Sequence, residues 1–149
     1  MPRHVFHIEF DYTQYIAFTV QGNAVTKSNA HGMTGKSGRM VMFVPKKYKD
    51  YEKAIKAEAA QAMQNANMKP FTGDCIMLLR YYYDTRRLRD VQNLPKSTCD
   101  ALNEIVYEDD NQVKRMIDMG KFFDKENPRV EIEVFETKRR WYESTQGEP

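Results

Sequence analysis

Apolar and polar residues alternate from Val5 to Phe10, and Tyr15 to Val20 is rich in aromatic and β-branched types. The chain is therefore expected to open with two strands joined by a turn over Asp11 to Gln14. Gly22-Asn23 breaks the pattern, and the polar, glycine-rich run from Lys27 to Gly38 predicts a loop before a short apolar segment, Met40 to Val44. The period then changes. Within Lys46 to Met68, Tyr48, Tyr51, Ile55, Ala59, Ala62 and Met63 recur at helical spacing among strong helix formers, with Pro45 at the start. This is the signature of a long amphipathic helix, ended by Pro70 and Gly73. Cys75 to Tyr83 opens as a continuous apolar run broken by one charge, Arg80, which suits a central strand buried on both faces. Thr85 to Asp90 is too charged for a strand interior and reads as a loop. Asn93 is a good N-cap and Pro95 fits a first turn, while Leu94, Thr98, Ala101, Leu102 and Ile105 share one face, so a second helix is expected from about Leu94 to Val106. Val113 to Phe123 and Arg129 to Thr137 are the last two strands, joined by a turn over Asp124 to Pro128. The expected fold is α/β of the α+β kind, a single mixed β-sheet packed against two main helices.

A chain of 149 residues is long enough to bury a real core as one domain, expected here over residues 1–137, with a polar tail over 138–149 that frays. Its apolar share is 41%, yet no window approaches the roughly 18 consecutive apolar residues of a membrane span. MPRHVFHIEF carries no secretory pattern, so the expected address is the cytoplasm. Cys75 and Cys99 fall on a strand and a helix, which suggests buried reduced thiols rather than a disulfide framework. Of the histidines, His4, His7 and His31 have no ligand-like spacing.

A net charge of +2 does not by itself point to nucleic acid, but its distribution adds something. Lys27, Lys36, Arg39, Lys46, Lys47 and Lys49 lie before or at the start of the first helix, Arg86, Arg87 and Arg89 cluster before the second, and Lys138, Arg139 and Arg140 follow the last strand. Local basic groups of this kind build a phosphate-binding face while carboxylates elsewhere keep the total near neutral. Ala30 to Ser37, AHGMTGKS, also satisfies the loose phosphate-loop pattern. That motif needs a buried strand before it and a helix after it, and here a polar run precedes it and the β-prone MVMFV follows. A basic or simply solvated loop fits the context better than nucleotide binding.

The densest chemistry runs from Tyr81 to Val113. Asp90 and the pair Asp109-Asp110 flank the second helix, and they can converge if the chain returns after Val106 into a strand beside the one that leads to Asp90. Converging carboxylates suit Mg²⁺ or Mn²⁺ and the metal chemistry of phosphodiester cleavage. The plain alternative is that Asp90 favours a helix N-terminus and Asp109-Asp110 makes a turn. Lys96 sits in a first turn, where the helix dipole disfavours a cation; it is simply solvated, pairs weakly with Asp100, or stabilises charge on a scissile phosphate or leaving oxygen. Tyr81, Tyr82 and Tyr83 offer base stacking, though strand aromatics more often belong to a core.

These residues resemble the RusA family of Holliday-junction resolvases, small homodimeric endonucleases of bacterial and phage origin. The family's arginine-rich loop reads here as Arg86 to Asp90, its Asn-Leu-x-Lys as Asn93, Leu94 and Lys96, its Asp-Ala-Leu as Asp100 to Leu102, and its Asp-Asp-x-Gln-Val as Asp109 to Val113. The resemblance implies that Asp90 and Asp110 bind metal, that Lys96 is a cation beside the general base or the phosphate, and that a symmetric dimer makes paired, Mg²⁺-dependent nicks in four-way DNA. Arg86, Arg87 and Arg89 would then grip the backbone beside the cut, with Lys27, Lys36 and Arg39 as an outer clamp, so that junction shape is recognised through phosphates. One position departs from the family: Gln92 stands where a second aspartate is usual, and a neutral oxygen ligand weakens Mg²⁺ binding. Three consequences stay open. Asp109, Asp84 or Asp100 restores the charge; the enzyme is slow or prefers Mn²⁺; or the protein is an inactive binder of branched or single-stranded DNA.

Overall fold

The structure, a computed structural model, describes residues 10–25, 31–34, 40–43, 46–86 and 94–138, with the backbone alone for 31–34 and 40–43. Its elements in chain order are β1 Tyr12–Gln21, β2 His31–Thr34, β3 Met40–Phe43, α1 Lys46–Asn65, β4 Cys75–Tyr83, α2 Leu94–Ala101, a 3-10 turn Asp110–Gln112, β5 Val113–Phe123 and β6 Arg129–Thr137. The main sheet is mixed, in the order β1-β6-β4-β5, with β4 and β5 parallel and the other neighbours antiparallel. The expected α+β architecture of one mixed sheet and two helices is present.

Alternation along the strands separates the two faces of that sheet. In β6 the even-numbered residues Val130, Ile132 and Val134 are buried. Their cross-strand partners are Val20, Phe18 and Ile16 in β1 and Tyr81, Leu79 and Met77 in β4, so three continuous apolar rows cross the sheet. The buried stripe of α1, namely Tyr48, Tyr51, Ile55, Ala59 and Met63, joins the same core. Burying each large aliphatic side chain in these rows is worth about 1.5–3 kcal/mol. The opposite face carries paired charge. Arg80 donates to Glu133 at 2.9 Å, Tyr15 donates to the other oxygen of Glu133 at 3.0 Å, and Arg129 bridges Asp124 and Glu131 while lying 3.7 Å above the Tyr82 ring.

Four expectations change. Asp11 to Gln14 was to be a turn, but β1 begins at Tyr12, because Tyr12 and Gln14 already pair with Thr137 and Glu136 across an irregularity that absorbs the polar residues; the first expected strand, Val5 to Phe10, lies outside the described residues apart from Phe10. The run expected as loop contains β2, paired antiparallel with β3, so the described part of the phosphate-loop pattern, His31 to Thr34, is a strand followed by another strand and not by a helix. Helix α1 stops at Asn65, short of Met68. Asn67 takes the left-handed conformation (φ 55°), and the amides of Asn67 and Met68 return to the carbonyls of Gln64 and Met63, a Schellman cap that satisfies the last carbonyls before Pro70 is reached. Helix α2 ends at Ala101 rather than Val106, since Glu104 also adopts a positive φ of 67° and donates its amide to the Tyr107 carbonyl.

Candidate active site

Asp109 has extended backbone angles and stands as N-cap of the 3-10 turn, its carboxylate accepting the Asn111 amide at 2.9 Å. Gln112 closes the box from the other side, its Oε1 accepting the Asp109 amide at 2.8 Å. The remaining end of Gln112 reaches out of the turn: Nε2 donates to the carbonyls of Phe71 and Gly73 at 2.8 and 2.9 Å. Asp110, between these anchors, is half-buried, and its carboxylate forms no hydrogen bond or ion pair among the described residues.

The far end of α2 meets this turn. Buried Tyr107 donates to the Cys99 carbonyl and, at 3.3 Å, to its sulfur. Burial pushes the Cys99 thiol up to about 11; the Tyr107 hydroxyl opposes, and the negative charges of Asp110, Asp100 and Asp109 add to the rise. Three carboxylates therefore share the neighbourhood of one sulfur. Burial is also the main reason the Cys75 thiol rises to about 12, with Glu136 and Asp74 adding. Both cysteines are free and buried, as the strand and helix placement suggested.

Helix α2 is held in place from beneath. Thr98 is fully buried, its hydroxyl donates to the Leu94 carbonyl at 2.9 Å, and the phenols of Tyr51 from α1 and Tyr81 from β4 come up against it. Both phenols are raised, by burial first, with the Thr98 hydroxyl opposing. Tyr81 and Tyr83 thus belong to the core, while Tyr82 stacks on Phe122 at 5.0 Å on the other face. With Thr98 pointing inward, Lys96 is exposed. It makes no ion pair with Asp100 among the described residues, because an exposed lysine gains too little from such a pair to fix its long side chain.

The parallel register of β4 and β5 sets Val113 beside Cys75 and Phe123 beside Tyr83. The acidic turn therefore lies where β4 begins. Arg86 lies where β4 ends, its guanidinium 4.5 Å above the Phe123 ring, about 26 Å away along the strand. The structure does not bring Arg86 beside Asp110. Asp84 is at the same distant end, its amide bonded to Asn23, so of the three residues expected to compensate for Gln92 only Asp100 and Asp109 are near the turn. Asp90, Gln92, Arg87, Arg89, Lys27, Lys36 and Arg39 lie outside the described residues; 35–39, which holds Lys36 and Arg39, connects β2 to β3.

As a donor set the turn fits a hard divalent ion in part. Asp110 offers two carboxylate oxygens that no described residue occupies, and Asp109 has one oxygen engaged in the cap. Mg²⁺ uses only one or two protein carboxylates together with water and phosphate oxygens. Among the described residues no three His, Cys, Asp or Glu side chains gather closely enough to hold a metal unaided.

Sequence reasoning missed Glu136 and the loop Phe71 to Asp74. The signal for Glu136 was present, since it continues the buried parity of Val130, Ile132 and Val134. Its carboxylate accepts from Thr13 at 2.7 Å, Gln14 at 2.9 Å, and the amides of Thr72 and Gly73 at 3.0 and 2.9 Å. Burial alone would raise its pKa, but those donors win and hold it below the usual carboxylate range.

No helix among the described residues is long and apolar enough to cross a membrane. Comparison with curated proteins gives no match. A family model described as Endodeoxyribonuclease RusA matches residues 21–135, a span that contains both helices, the acidic turn and β2 to β5 whole. On that match, which covers well over half of the sequence, the chain belongs to the RusA endodeoxyribonuclease family.

Proposed function

We propose that this protein is a divalent-metal-dependent endodeoxyribonuclease that resolves four-way DNA junctions by paired, symmetric nicks, acting as a two-fold homodimer so that two equivalent sites make the two cuts. The observation that carries the reading is Asp110, a carboxylate without a hydrogen-bond or ion-pair partner among the described residues, in a turn whose Asp109 and Gln112 form a capping box, in a chain of this family. The nuclease domain we assign runs over residues 1–137, with 138–149 as a tail.

Asp90 and Asp110 are the metal-binding carboxylates, with Gln92 and the second oxygen of Asp109 as weaker donors. Bound there, Mg²⁺ or Mn²⁺ supplies activation of water and neutralisation of charge on the phosphate. Asp90 lies four residues before Leu94, a span of at most ~14 Å, and Leu94 is about 7.5 Å along α2 from Cys99. Lys96, exposed on α2 and without an ion-pair partner among the described residues, directs its ammonium at the scissile phosphate or leaving oxygen. Arg87, Arg89, Lys27, Lys36 and Arg39 hold the backbone, and Arg86, a strand length away, holds a phosphate farther along the arm. Because these contacts go to phosphates, affinity should fall steeply with salt.

Gln92 favours a second reading, a catalytically weak or silent binder of branched DNA. One experiment separates them: a labelled four-way junction incubated with Mg²⁺ or Mn²⁺ and either wild type or Asp90→Asn. Symmetric nicks by wild type alone support the nuclease, whereas tight junction binding by both proteins without cuts at any metal concentration supports the binder.

A further inference from the structure

The Gln112 side chain joins the acidic turn to the loop that leads into β4. Its amide is used on three sides: the oxygen accepts from the amide of Asp109, and the two protons go to the carbonyls of Phe71 and Gly73. Those carbonyls are themselves aimed. The amides of Thr72 and Gly73 point the opposite way, onto Glu136 of β6, and the Phe71 amide and carbonyl are fixed to the Val106 carbonyl and the Glu108 amide. The loop is thus gripped from two sides, by a buried carboxylate on one and by a neutral amide on the other. A glutamate at 112 would meet two carbonyl oxygens with no proton to offer, and an apolar side chain would take one donor from each carbonyl and leave the Asp109 amide without its acceptor.

We infer that Gln112 is the positioning residue of the metal site, fixing the direction of the Asp110 carboxylate by tying the turn to the Phe71–Asp74 loop, with Glu136 as the anchor behind that loop. The inference rests on the reading of Asp110 as a metal ligand and names what holds it. Groups that orient a metal ligand without touching the metal change affinity or activity by roughly 10–100-fold when removed. Gln112 touches neither DNA nor metal in this scheme. Its removal should leave junction affinity alone and weaken the response to metal.

The test uses full-length wild type, Gln112→Met and Glu136→Gln. Three quantities are read: the Mg²⁺ concentration that half-saturates junction nicking, the junction dissociation constant in EDTA, and amide hydrogen exchange of residues 109–111 in metal-free protein. Gln112→Met is expected to raise the Mg²⁺ half-saturation about tenfold, to keep the EDTA dissociation constant within about twofold, and to speed exchange at 109–111. Glu136→Gln, acting through the loop, should shift metal response and exchange in the same sense by a smaller factor, and it decides the matter alone if Gln112→Met does not fold. A merely structural glutamine would lower the melting temperature without moving the Mg²⁺ half-saturation of the folded protein, and that result overturns the inference. Unchanged exchange at 109–111 overturns it as well. If wild type never nicks, the nuclease reading fails by itself, and exchange still decides whether Gln112 positions the turn.

Discussion

Glu136 and Asp110 lie on opposite sides of one loop and are treated in opposite ways. Glu136 is 9% exposed and accepts from two side chains and two backbone amides. Asp110 is more accessible and its carboxylate accepts from nothing among the described residues, although Asp109 and Gln112 of the same turn are joined in a capping box. A buried carboxylate without donors would be intolerable, so the donors around Glu136 mark it as part of the fold. A half-buried carboxylate kept free while its neighbours form a capping box is available to an incoming cation. The number of donors, more than the presence of an acidic side chain, separates scaffold from chemistry here.

The largest expected effect follows from Asp110→Asn. Junction nicking should drop by roughly 10²–10³-fold, in the range found when one charge-stabilising group is removed, while stability in urea stays within about 0.5 kcal/mol of wild type. A variant that melts early would show that Asp110 serves the fold after all and would erase its contrast with Glu136.

Glu136→Ala should do the reverse. It leaves the Thr72 and Gly73 amides without acceptors and frees the start of β1, at a cost of about 2–4 kcal/mol, read as a fall of roughly 5–15 °C in melting temperature. For the protein that remains folded, junction affinity in EDTA should match wild type. Loss of junction binding at full stability would place Glu136 in the site instead.

The same carboxylate gives the fold an acid limit. Its pKa is depressed in the folded state, so its contribution is fully present above the unfolded value of about 4.3 and is lost as pH falls through the lower folded value. Urea melts of wild type and Glu136→Gln should therefore differ most near neutral pH, and the gap should close as pH falls below the unfolded value of about 4.3. A gap that widens on acidification would mean that burial, not the four donors, governs this group.

Much of this arrangement was legible beforehand, for identifiable reasons. The ranges of β4, β5 and β6 follow from apolar runs and strict alternation, and the inner stripe of α1 follows from its helical period. Helix ends were less legible, since Asn67 and Glu104 stop their helices by taking positive φ, a choice that neither residue type dictates. Strand β2, only four residues long, lacks a period to detect. The grip of Glu136 and Gln112 on the Phe71–Asp74 loop joins residues dozens of positions apart and has no local pattern. The separation of Arg86 from Asp110 depends on the parallel pairing of β4 with β5, which sequence order alone leaves undetermined.

The smallest effect worth measuring is Gly73→Ala, which tests how firmly the Glu136 side of the comparison is held. Gly73 does not need a left-handed backbone, so an alanine there would ordinarily stabilise slightly by restricting the unfolded chain. Its Cβ, however, would stand 3.3 Å from both Cγ and Oε2 of Glu136, closer than comfortable contact. An exposed glutamate would swing aside, but this one is fixed by Thr13, Gln14 and the amides of Thr72 and Gly73 itself, so moving it lengthens several hydrogen bonds together. The expected result is a loss of about 1 kcal/mol in wild type, which shrinks when Glu136 is already Ala and there is nothing left to collide with. A double-mutant cycle in urea measures this directly. Additive losses would mean that the loop accommodates the methyl without disturbing the carboxylate, and Glu136 would then be a looser anchor than its four donors suggest.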